Sequence, residues 1–163
     1  PEHWALRDLV AVVSRDEKAV GSTSGHRAAE ASPLFEARRS AVPRTLDATR
    51  AAILNRDIAA LGDLAEQEAL SLHAVAMTGH PALLYWSPGT LRVPPAVRRW
   101  RGTGLSCFFT LDAGPNVHVI CESSVSDAVA ARLRELPEVA DVISNAPGRE
   151  ARVIHHAGSD INP

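Results

Sequence analysis

The sequence predicts an α+β sandwich, in which strands are split around packed helices. Runs of β-branched and aromatic residues, typical of strands, occur near the start of the chain and again beyond residue 104. The section between them spaces its apolar residues three and four apart, as amphipathic helices do. The predicted order is a strand, a loop opening a helix, two long helices, a short helix, two strands, a helix and two strands.

Composition and charge narrow the class of protein. The chain has 163 residues, which suits one domain with a proper core. An apolar fraction of 45% and a charged fraction of 22% are ordinary for a globular protein. A net charge of −2 argues against nucleic acid or a membrane surface as partner, and no apolar run approaches the roughly 20 residues that span a bilayer. We therefore expect a soluble, cytoplasmic domain.

The cysteines and histidines predict no metal site. Cys107 and Cys121 fall in two of the predicted strands, and we expect both to be reduced core residues. They form no metal-ligand pattern with the histidines. The adjacent His155 and His156 would face opposite sides of a strand, so they cannot chelate one metal together.

The first element is a buried strand over residues 9–13, where a continuous apolar run ends at a polar turn. Residues 20–27 then combine glycines with small hydroxyl residues ahead of an alanine-rich run at 28–31. Free backbone N–H groups at such a helix start either receive a cap or hold an anion. The spacing matches neither the Walker nor the dinucleotide pattern, so the residues alone leave both interpretations open.

Two long helices are predicted for the middle of the chain. Pro43 fits the first turn of a helix that runs to about Asn55. Its apolar face consists of Leu46, Ile53 and Leu54. A second helix follows the break at 55–57 and buries a stripe made of Ile58, Leu61, Ala65, Ala69, Leu72 and Ala76. Gly62 weakens it by roughly 1 kcal/mol relative to alanine. His73 lies one position off this stripe, so we expect it at the core edge, hydrogen-bonded and without a catalytic task.

The segment after this helix is rich in proline. Prolines inside a helix cost about 3 kcal/mol each, so the sequence predicts only a short helix over residues 95–101. Arg98, Arg99 and Arg101 cluster there beside Trp100. Such a cluster is either a solvated helix face or a contact for an acidic partner, and the solvated face is the preferred interpretation.

The second half of the chain predicts a hairpin and a further pair of strands. Residues 105–110 and 117–122 read as strands joined around the turn signal at 114–115. An amphipathic helix stopped by Pro137 follows, with the apolar residues Val125, Val129, Leu133 and Leu136. Residues 139–143 and 151–155 are then predicted to form two more strands.

Asp112 lies at the mouth of the hairpin turn, as a single carboxylate between two apolar strands. One interpretation is an Asx-type cap on the turn. The other is a functional acid or base on rigid strands, with Gly114 allowing a ligand to approach the backbone. Turn chemistry favours the first interpretation but does not exclude the second.

Residues 112–116, Asp-Ala-Gly-Pro-Asn, resemble the signature of the mevalonate diphosphate decarboxylase family. Other segments from about residue 6 to residue 158 follow the family in order and hydrophobic type, although only 112–116 is highly specific. The resemblance implies a ferredoxin-like C-terminal domain of the galactokinase, homoserine kinase, mevalonate kinase and phosphomevalonate kinase (GHMP) superfamily, with an antiparallel sheet covered by helices. It implies that Asp112 is the catalytic carboxylate facing the tertiary hydroxyl of the substrate.

Residues 21–25 resemble the serine-rich loop that begins the family's C-terminal domain. The resemblance assigns Ser22, Thr23 and Gly25, together with His26, to the phosphate end of a phosphorylated mevalonate. The family usually carries methionine where this chain has His26. A histidine there adds hydrogen-bond donors and opens the question of how many phosphates the substrate carries.

The implied activity is that of an ATP-dependent lyase of isoprenoid biosynthesis. It converts mevalonate 5-diphosphate to isopentenyl diphosphate, phosphate and carbon dioxide. The cofactor is ATP with Mg²⁺, bound mainly by an N-terminal domain that residues 1–163 do not resemble. We therefore expect one domain, the C-terminal half of a longer enzyme, which alone neither binds ATP tightly nor turns over. The family also suggests a homodimer.

Three alternatives stay open. A phosphomevalonate decarboxylase would act on mevalonate 5-phosphate, and the His26 departure motivates it. A mevalonate 3-kinase would phosphorylate without decarboxylating, but the representatives of that activity lack an aspartate where this chain has Asp112. A non-catalytic ferredoxin-like binding module is the third alternative.

Overall fold

The computed structural model describes residues 3–15 and 28–148. Within these ranges the chain forms a four-stranded sheet with the strand order β2-β3-β1-β4, and each neighbouring pair is antiparallel. The strands are β1 (Leu6–Val12), β2 (Cys107–Thr110), β3 (Val117–Glu122) and β4 (Asp141–Asn145). The helices are α1 (Phe35–Asn55), α2 (Ile58–Thr78), α3 (Pro88–Gly102) and α4 (Ser126–Arg134), the last preceded by a 3₁₀ turn at Ser123–Val125. The α+β class and the antiparallel sheet are confirmed.

The two faces of the sheet have different coverings. One face carries Leu9, Phe109 and Val119, which pack with residues of α3 and α4 in the main core. The opposite face carries Phe108, which packs with Ala52 of α1 and Leu61 of α2. Strand alternation places His118 and Val10 on this second face, directly paired across β3 and β1. These two residues line a cavity, so this end of the second face is open.

Helix α1 begins earlier than the sequence predicts, and it buries a different face. It starts at Phe35, so Pro43 lies inside it rather than in its first turn. Proline removes one backbone N–H, and a helix of 21 residues tolerates that loss. The predicted apolar face is wrong, because the buried residue of α1 is Ala52. The predicted face consists of exposed residues, Leu46, Ile53 and Leu54.

The break between the long helices is confirmed. Arg56 adopts a left-handed conformation with φ 53° and ends α1. The Asp57 side chain accepts a hydrogen bond from the Ala60 N–H at 3.0 Å and caps α2.

The buried stripe of α2 is only partly as predicted. Leu61, Ala69 and Ala76 are buried, but Leu72 is exposed, and Glu66 and His73 are buried instead. His73 therefore lies within the core rather than at its edge. The stripe also includes Gly62, where an added Cβ would lie 2.8 Å from the Cβ of Phe108. The glycine that weakens the isolated helix is thus what allows α2 to approach β2.

Helix α3 is longer than the predicted short helix. Pro88 occupies the first turn of the helix. A backbone N–H at that position would have no intrahelical acceptor, so the missing N–H of proline costs no hydrogen bond. Ser87 and Thr90 cap each other's backbone N–H at 3.1 Å in both directions. Pro94 and Pro95 lie inside the helix. Their cost is offset because the helix buries Val93, Ala96, Val97 and Trp100 against the sheet.

Two of the three clustered arginines are held by an internal acid. The side chain of Glu66 is 3% exposed, and its carboxylate accepts hydrogen bonds from Arg98 and Arg101, each at 2.8 Å. The guanidinium of Arg98 also lies 5.3 Å from the ring centroid of Phe109. The prediction of a solvated face therefore holds for Arg99 and for Arg98, whose side chain is 51% exposed, but not for Arg101, which is 30% exposed and held by Glu66.

We expect Glu66→Ala to lower the free energy of unfolding by about 2–3 kcal/mol. Removing one partner of a buried ion pair typically costs about 3–5 kcal/mol, and both arginines can partly regain water. Urea denaturation of the 163-residue chain measures the change. Glu36→Ala is the control, because it breaks an exposed pair with Arg39 and should cost less than about 1 kcal/mol. Equal losses in the two variants would contradict the structural role of Glu66.

The hairpin is confirmed, as are the helix and the first strand predicted after it. β2 begins at Cys107, two residues later than predicted, and β4 spans Asp141–Asn145 rather than 139–143. Cys107 and Cys121 lie opposite each other across β2 and β3, buried and free. Burial raises the pKa of each thiol to about 11, which fits unreactive core cysteines. The strand predicted at 151–155, His155 and His156 lie outside the described residues.

Candidate active site

The turn that carries Asp112 has three local features. The Gly114–Pro115 peptide bond is cis, and Gly114 has a φ of +66°, which favours glycine. The Oδ1 atom of Asp112 accepts a hydrogen bond from the Gly114 N–H at 3.1 Å. The Asx-type cap is therefore present. Asp112 is nonetheless exposed and lines a cavity, so capping leaves its carboxylate accessible to a ligand.

Two contacts anchor the turn to the rest of the domain. Oδ1 of Asn116 accepts hydrogen bonds from the backbone N–H groups of Val13 at 2.9 Å and Ser14 at 3.1 Å. The hydroxyl of Thr90 donates a hydrogen bond to the Pro115 carbonyl at 2.6 Å. The turn is thus tied to the end of β1 and to the first turn of α3, which fixes Asp112 relative to both.

A cavity of about 270 Å³ lies where β1 ends beside the hairpin. Its lining includes polar side chains from the end of β1, the hairpin turn and β3, together with Val10: Ser14, Arg15, Asp112, Asn116 and His118. Gly114 and Pro115 complete its wall. The structure therefore places Asp112 in a concave site, as the functional interpretation requires. The other predicted site residues, Ser22, Thr23, Gly25 and His26, lie outside the described residues.

His118 and Asp8 form a polar pair at this cavity that our sequence analysis did not identify. Nδ1 of His118 lies 3.1 Å from Oδ1 and 3.0 Å from Oδ2 of Asp8. Asp8 raises the pKa of His118 through this hydrogen bond, burial opposes that effect, and the charges of Asp8 and Asp112 add to it. The sequence signal was weak, because Arg7 and Glu122 are also polar in these strands and Asp8 precedes the strand predicted at 9–13. The partners are also 110 positions apart.

His73 supports the hairpin from behind. It is 2% exposed, and its ring lies 5.0 Å from that of Trp86 and 6.2 Å from that of Tyr85. Burial lowers its pKa, against the opposing effects of a hydrogen bond to the backbone of Asp112 and of the charge of Asp112. A neutral histidine packed behind the turn positions Asp112 without facing the cavity. The predicted hydrogen bonding of His73 is met on one side of the ring only, because Nε2 has no hydrogen-bond partner among the described residues.

The described residues give no sign of a metal centre or a membrane span. Across 3–15 and 28–148 no group of three or more His, Cys, Asp or Glu side chains is arranged to hold a metal ion. In the same part of the chain, no helix is both long and apolar enough to cross a bilayer.

Asn116→Ala is expected to destabilise the domain by about 1–2 kcal/mol, because the Val13 N–H loses its acceptor. We also expect a lower kcat/KM in the full-length protein, since the turn loses its link to β1. Thermal unfolding and steady-state assays measure the two effects. Asn55→Ala, at the exposed end of α1, should change neither. A fully active Asn116→Ala protein would show that the link does not position the site.

Sequence comparison then places the chain in a family. The model of the family described as "Mevalonate 5-diphosphate decarboxylase C-terminal domain" matches residues 8–158, nearly the whole chain. The chain belongs to this family. The resemblance carried by residues 112–116 is therefore confirmed.

Relatives within the mevalonate 5-diphosphate decarboxylase family include proteins named for two different substrates. A diphosphomevalonate decarboxylase of Candida albicans is 30% identical over 135 residues, covering 81% of this chain and 37% of that protein. A phosphomevalonate decarboxylase of Haloferax volcanii is 34% identical over 116 residues, covering 70% of this chain and 36% of that protein. The chain thus spans about a third of the length of these curated relatives.

A solved structure supports the fold assignment. The complex described as MDDEF with MVAPP, AMPPCP and magnesium is 31% identical, with a TM-score of 0.78. The alignment covers 86% of this chain and 43% of that one. The GHMP-type fold implied by the resemblance is therefore confirmed.

Proposed function

We propose that this chain is the C-terminal domain of an ATP-dependent diphosphomevalonate decarboxylase, in which Asp112 is the catalytic carboxylate. One observation carries the proposal. The carboxylate of Asp112 lines a cavity at the tip of a hairpin that Asn116 and Thr90 fix from two sides. Membership of the family then indicates the reaction in which that carboxylate takes part. Ser22, Thr23, Gly25 and His26 are proposed to hold the phosphate end of the substrate.

Asp112 has a defined task in this reaction. Its carboxylate orients the tertiary hydroxyl of the substrate and accepts the hydroxyl proton as the oxygen attacks the γ-phosphorus of ATP, releasing ADP. The bond between the tertiary carbon and its phosphorylated oxygen then breaks, and phosphate leaves. The electron pair of the bond to the departing carboxylate forms the new double bond, and carbon dioxide leaves. The hairpin holds Asp112 in place throughout, which limits the reorganisation needed at the reacting oxygen.

Nucleotide and Mg²⁺ are assigned to the part of the full-length protein that this chain does not span. The described residues hold no acidic cluster suited to a metal ion, so the fit to Mg²⁺ is poor here. We therefore derive no step of this chain through the metal. A nucleotide titration of the 163-residue chain is expected to show no tight binding, and micromolar affinity would contradict this assignment.

A phosphomevalonate decarboxylase is the second candidate function. Two observations favour it: the Haloferax volcanii relative bears that name, and His26 replaces the methionine usual in the family. Assays of the full-length protein with ATP and either mevalonate 5-diphosphate or mevalonate 5-phosphate separate the two candidates. Isopentenyl diphosphate from the first substrate supports the main proposal, and isopentenyl phosphate from the second supports the alternative. Inactivity on both would leave the non-catalytic binding module.

The proposal also covers the cellular location of the protein and its partners. We propose a cytoplasmic enzyme of isoprenoid biosynthesis in which this domain packs against its own N-terminal domain. A homodimer stays a prediction, and size-exclusion chromatography with light scattering on the full-length protein tests it.

A further inference from the structure

The cavity that contains Asp112 needs a positive charge to accept an anionic substrate. A phosphorylated hydroxy acid is negatively charged at both ends, and Asp112 adds a carboxylate of its own to the lining. The negative charges of the substrate and of Asp112 repel each other within one cavity, so a positive charge in the lining is required for close binding. Among the described residues that line the cavity, Arg15 and His118 can carry one.

Arg15 is the weaker of these two cations. Its guanidinium lies 2.8 Å from a carboxylate oxygen of Asp141, and its side chain is 71% exposed. Its charge is therefore already paired and is screened by water. His118 is more enclosed, with a side chain that is 35% exposed. It lies on the floor of the cavity, on a central strand of the sheet.

The contact with Asp8 gives His118 a fixed orientation. Both carboxylate oxygens of Asp8 lie within 3.1 Å of Nδ1, so Nδ1 carries the hydrogen. Nε2 is then the ring nitrogen left for a ligand. The charged groups that face the ring are Asp8 from β1 and Asp112 from the hairpin turn, with the Arg15–Asp141 pair at the cavity edge. The two facing carboxylates raise the pKa of His118 and so favour its cationic form.

We propose that His118 is a substrate-recognising residue of the Asp112 cavity, and that its Nε2–H donates a hydrogen bond to an anionic oxygen of the substrate. Asp8 is its positioning residue. The identity of the substrate as a phosphorylated 3-hydroxy acid rests on the proposed function. The shared chemistry is an oxyanion, which belongs either to the carboxylate or to the phosphate end. Charge-assisted hydrogen bonds of this kind are roughly twice as strong as neutral ones.

The test uses the full-length protein and three variants. His118→Gln removes the charge, Asp8→Asn removes the positioning carboxylate, and His80→Gln is the matched control at an exposed histidine. We expect His118→Gln to raise the substrate KM about tenfold with a smaller effect on kcat, while His80→Gln changes neither. Circular dichroism and thermal unfolding establish that each variant is folded.

The pH profile distinguishes recognition from a structural role. In the wild-type protein the KM should rise as the pH increases through the pKa of His118, because the imidazolium charge is lost. In Asp8→Asn this rise should shift to lower pH, because the pKa of His118 moves back towards its ordinary value. In His118→Gln it should disappear. If His118→Gln does not fold, the shift of the profile in Asp8→Asn tests the proposal, because Asp8 is the group that raises the pKa of His118.

Two competitors identify which end of the substrate His118 contacts. Pyrophosphate carries only the phosphate chemistry and mevalonate only the carboxylate. The inhibition constant that rises in His118→Gln marks the contacted end. The proposal would be overturned if His118→Gln left the KM, the inhibition constants and the pH profile unchanged. In that case, turnover by the wild-type protein would still leave the proposed function standing. A wild-type protein inactive on both candidate substrates would overturn the two together.

Discussion

Replacing Asp112 with asparagine in the full-length protein is expected to lower kcat by about 10²–10⁴-fold, the range typical for loss of a positioned acid or base. Asparagine cannot take the hydroxyl proton. Substrate KM should change far less, because Asp112 is assigned to the reacting hydroxyl and not to the phosphate end. A single-turnover assay for release of carbon dioxide measures the effect on chemistry directly.

The geometry of the turn allows the Asp112→Asn variant to test the chemical step without disturbing the fold. Asp112 caps the turn with Oδ1, which accepts from the Gly114 N–H at 3.1 Å. Asparagine keeps an oxygen acceptor of the same reach, so the Asx turn should survive and the unfolding temperature should stay within about 2 °C. Asp127→Asn, on the exposed first turn of α4, is the matched control and should be fully active. A variant within threefold of the wild-type kcat would remove Asp112 from the catalytic role.

The hairpin and its acid were predictable because their signals are local. Strand-forming runs flank a Gly-Pro turn within 18 residues, and turn chemistry alone places Asp112 at its mouth. The helix order after the hairpin was predictable for the same reason, because apolar spacing and Pro137 lie in one short segment. Local patterns of this kind determine what each element is.

Contacts between distant residues were beyond sequence reasoning. His118 meets Asp8 only because β3 pairs with β1 in one particular register, and a slip of one residue would turn each side chain to the other face. Glu66 of α2 likewise meets Arg98 of α3 only in the folded chain, because the two residues are 32 positions apart. The sequence shows the arginine cluster beside Trp100, but not that Glu66 is buried and neutralises two of its members.

Rules derived from isolated helices failed where tertiary packing dominates. Pro94 and Pro95 predict a broken helix, yet α3 runs through both because its other side fills the core. Gly62 predicts a weak point, yet an added Cβ there would collide with Phe108, so the glycine allows α2 to pack against β2. Propensity is worth at most a few kcal/mol per residue, which a buried face offsets.

Phe109→Ala is expected to cause the largest loss of stability, about 3–5 kcal/mol. The ring is fully buried, with 0% exposure, in the main core between the sheet and α3. Truncation loses that burial, leaves a cavity and removes the surface over which Arg98 lies. Because domains of this size are stable by about 5–15 kcal/mol in total, the loss takes a large share of the folding free energy.

Urea denaturation of the 163-residue chain measures this loss, with Phe35→Ala as the matched control. Phe35 is only half-buried at the start of α1, so its truncation should cost less than about 2 kcal/mol. Phe109 also lies three residues before Asp112 on the same hairpin. Looser packing at β2 should therefore disturb the position of Asp112. We therefore expect kcat of the full-length Phe109→Ala protein to fall at temperatures well below its unfolding midpoint. A loss below 1.5 kcal/mol would show that the hairpin is held mainly by its turn contacts and not by the core beneath it.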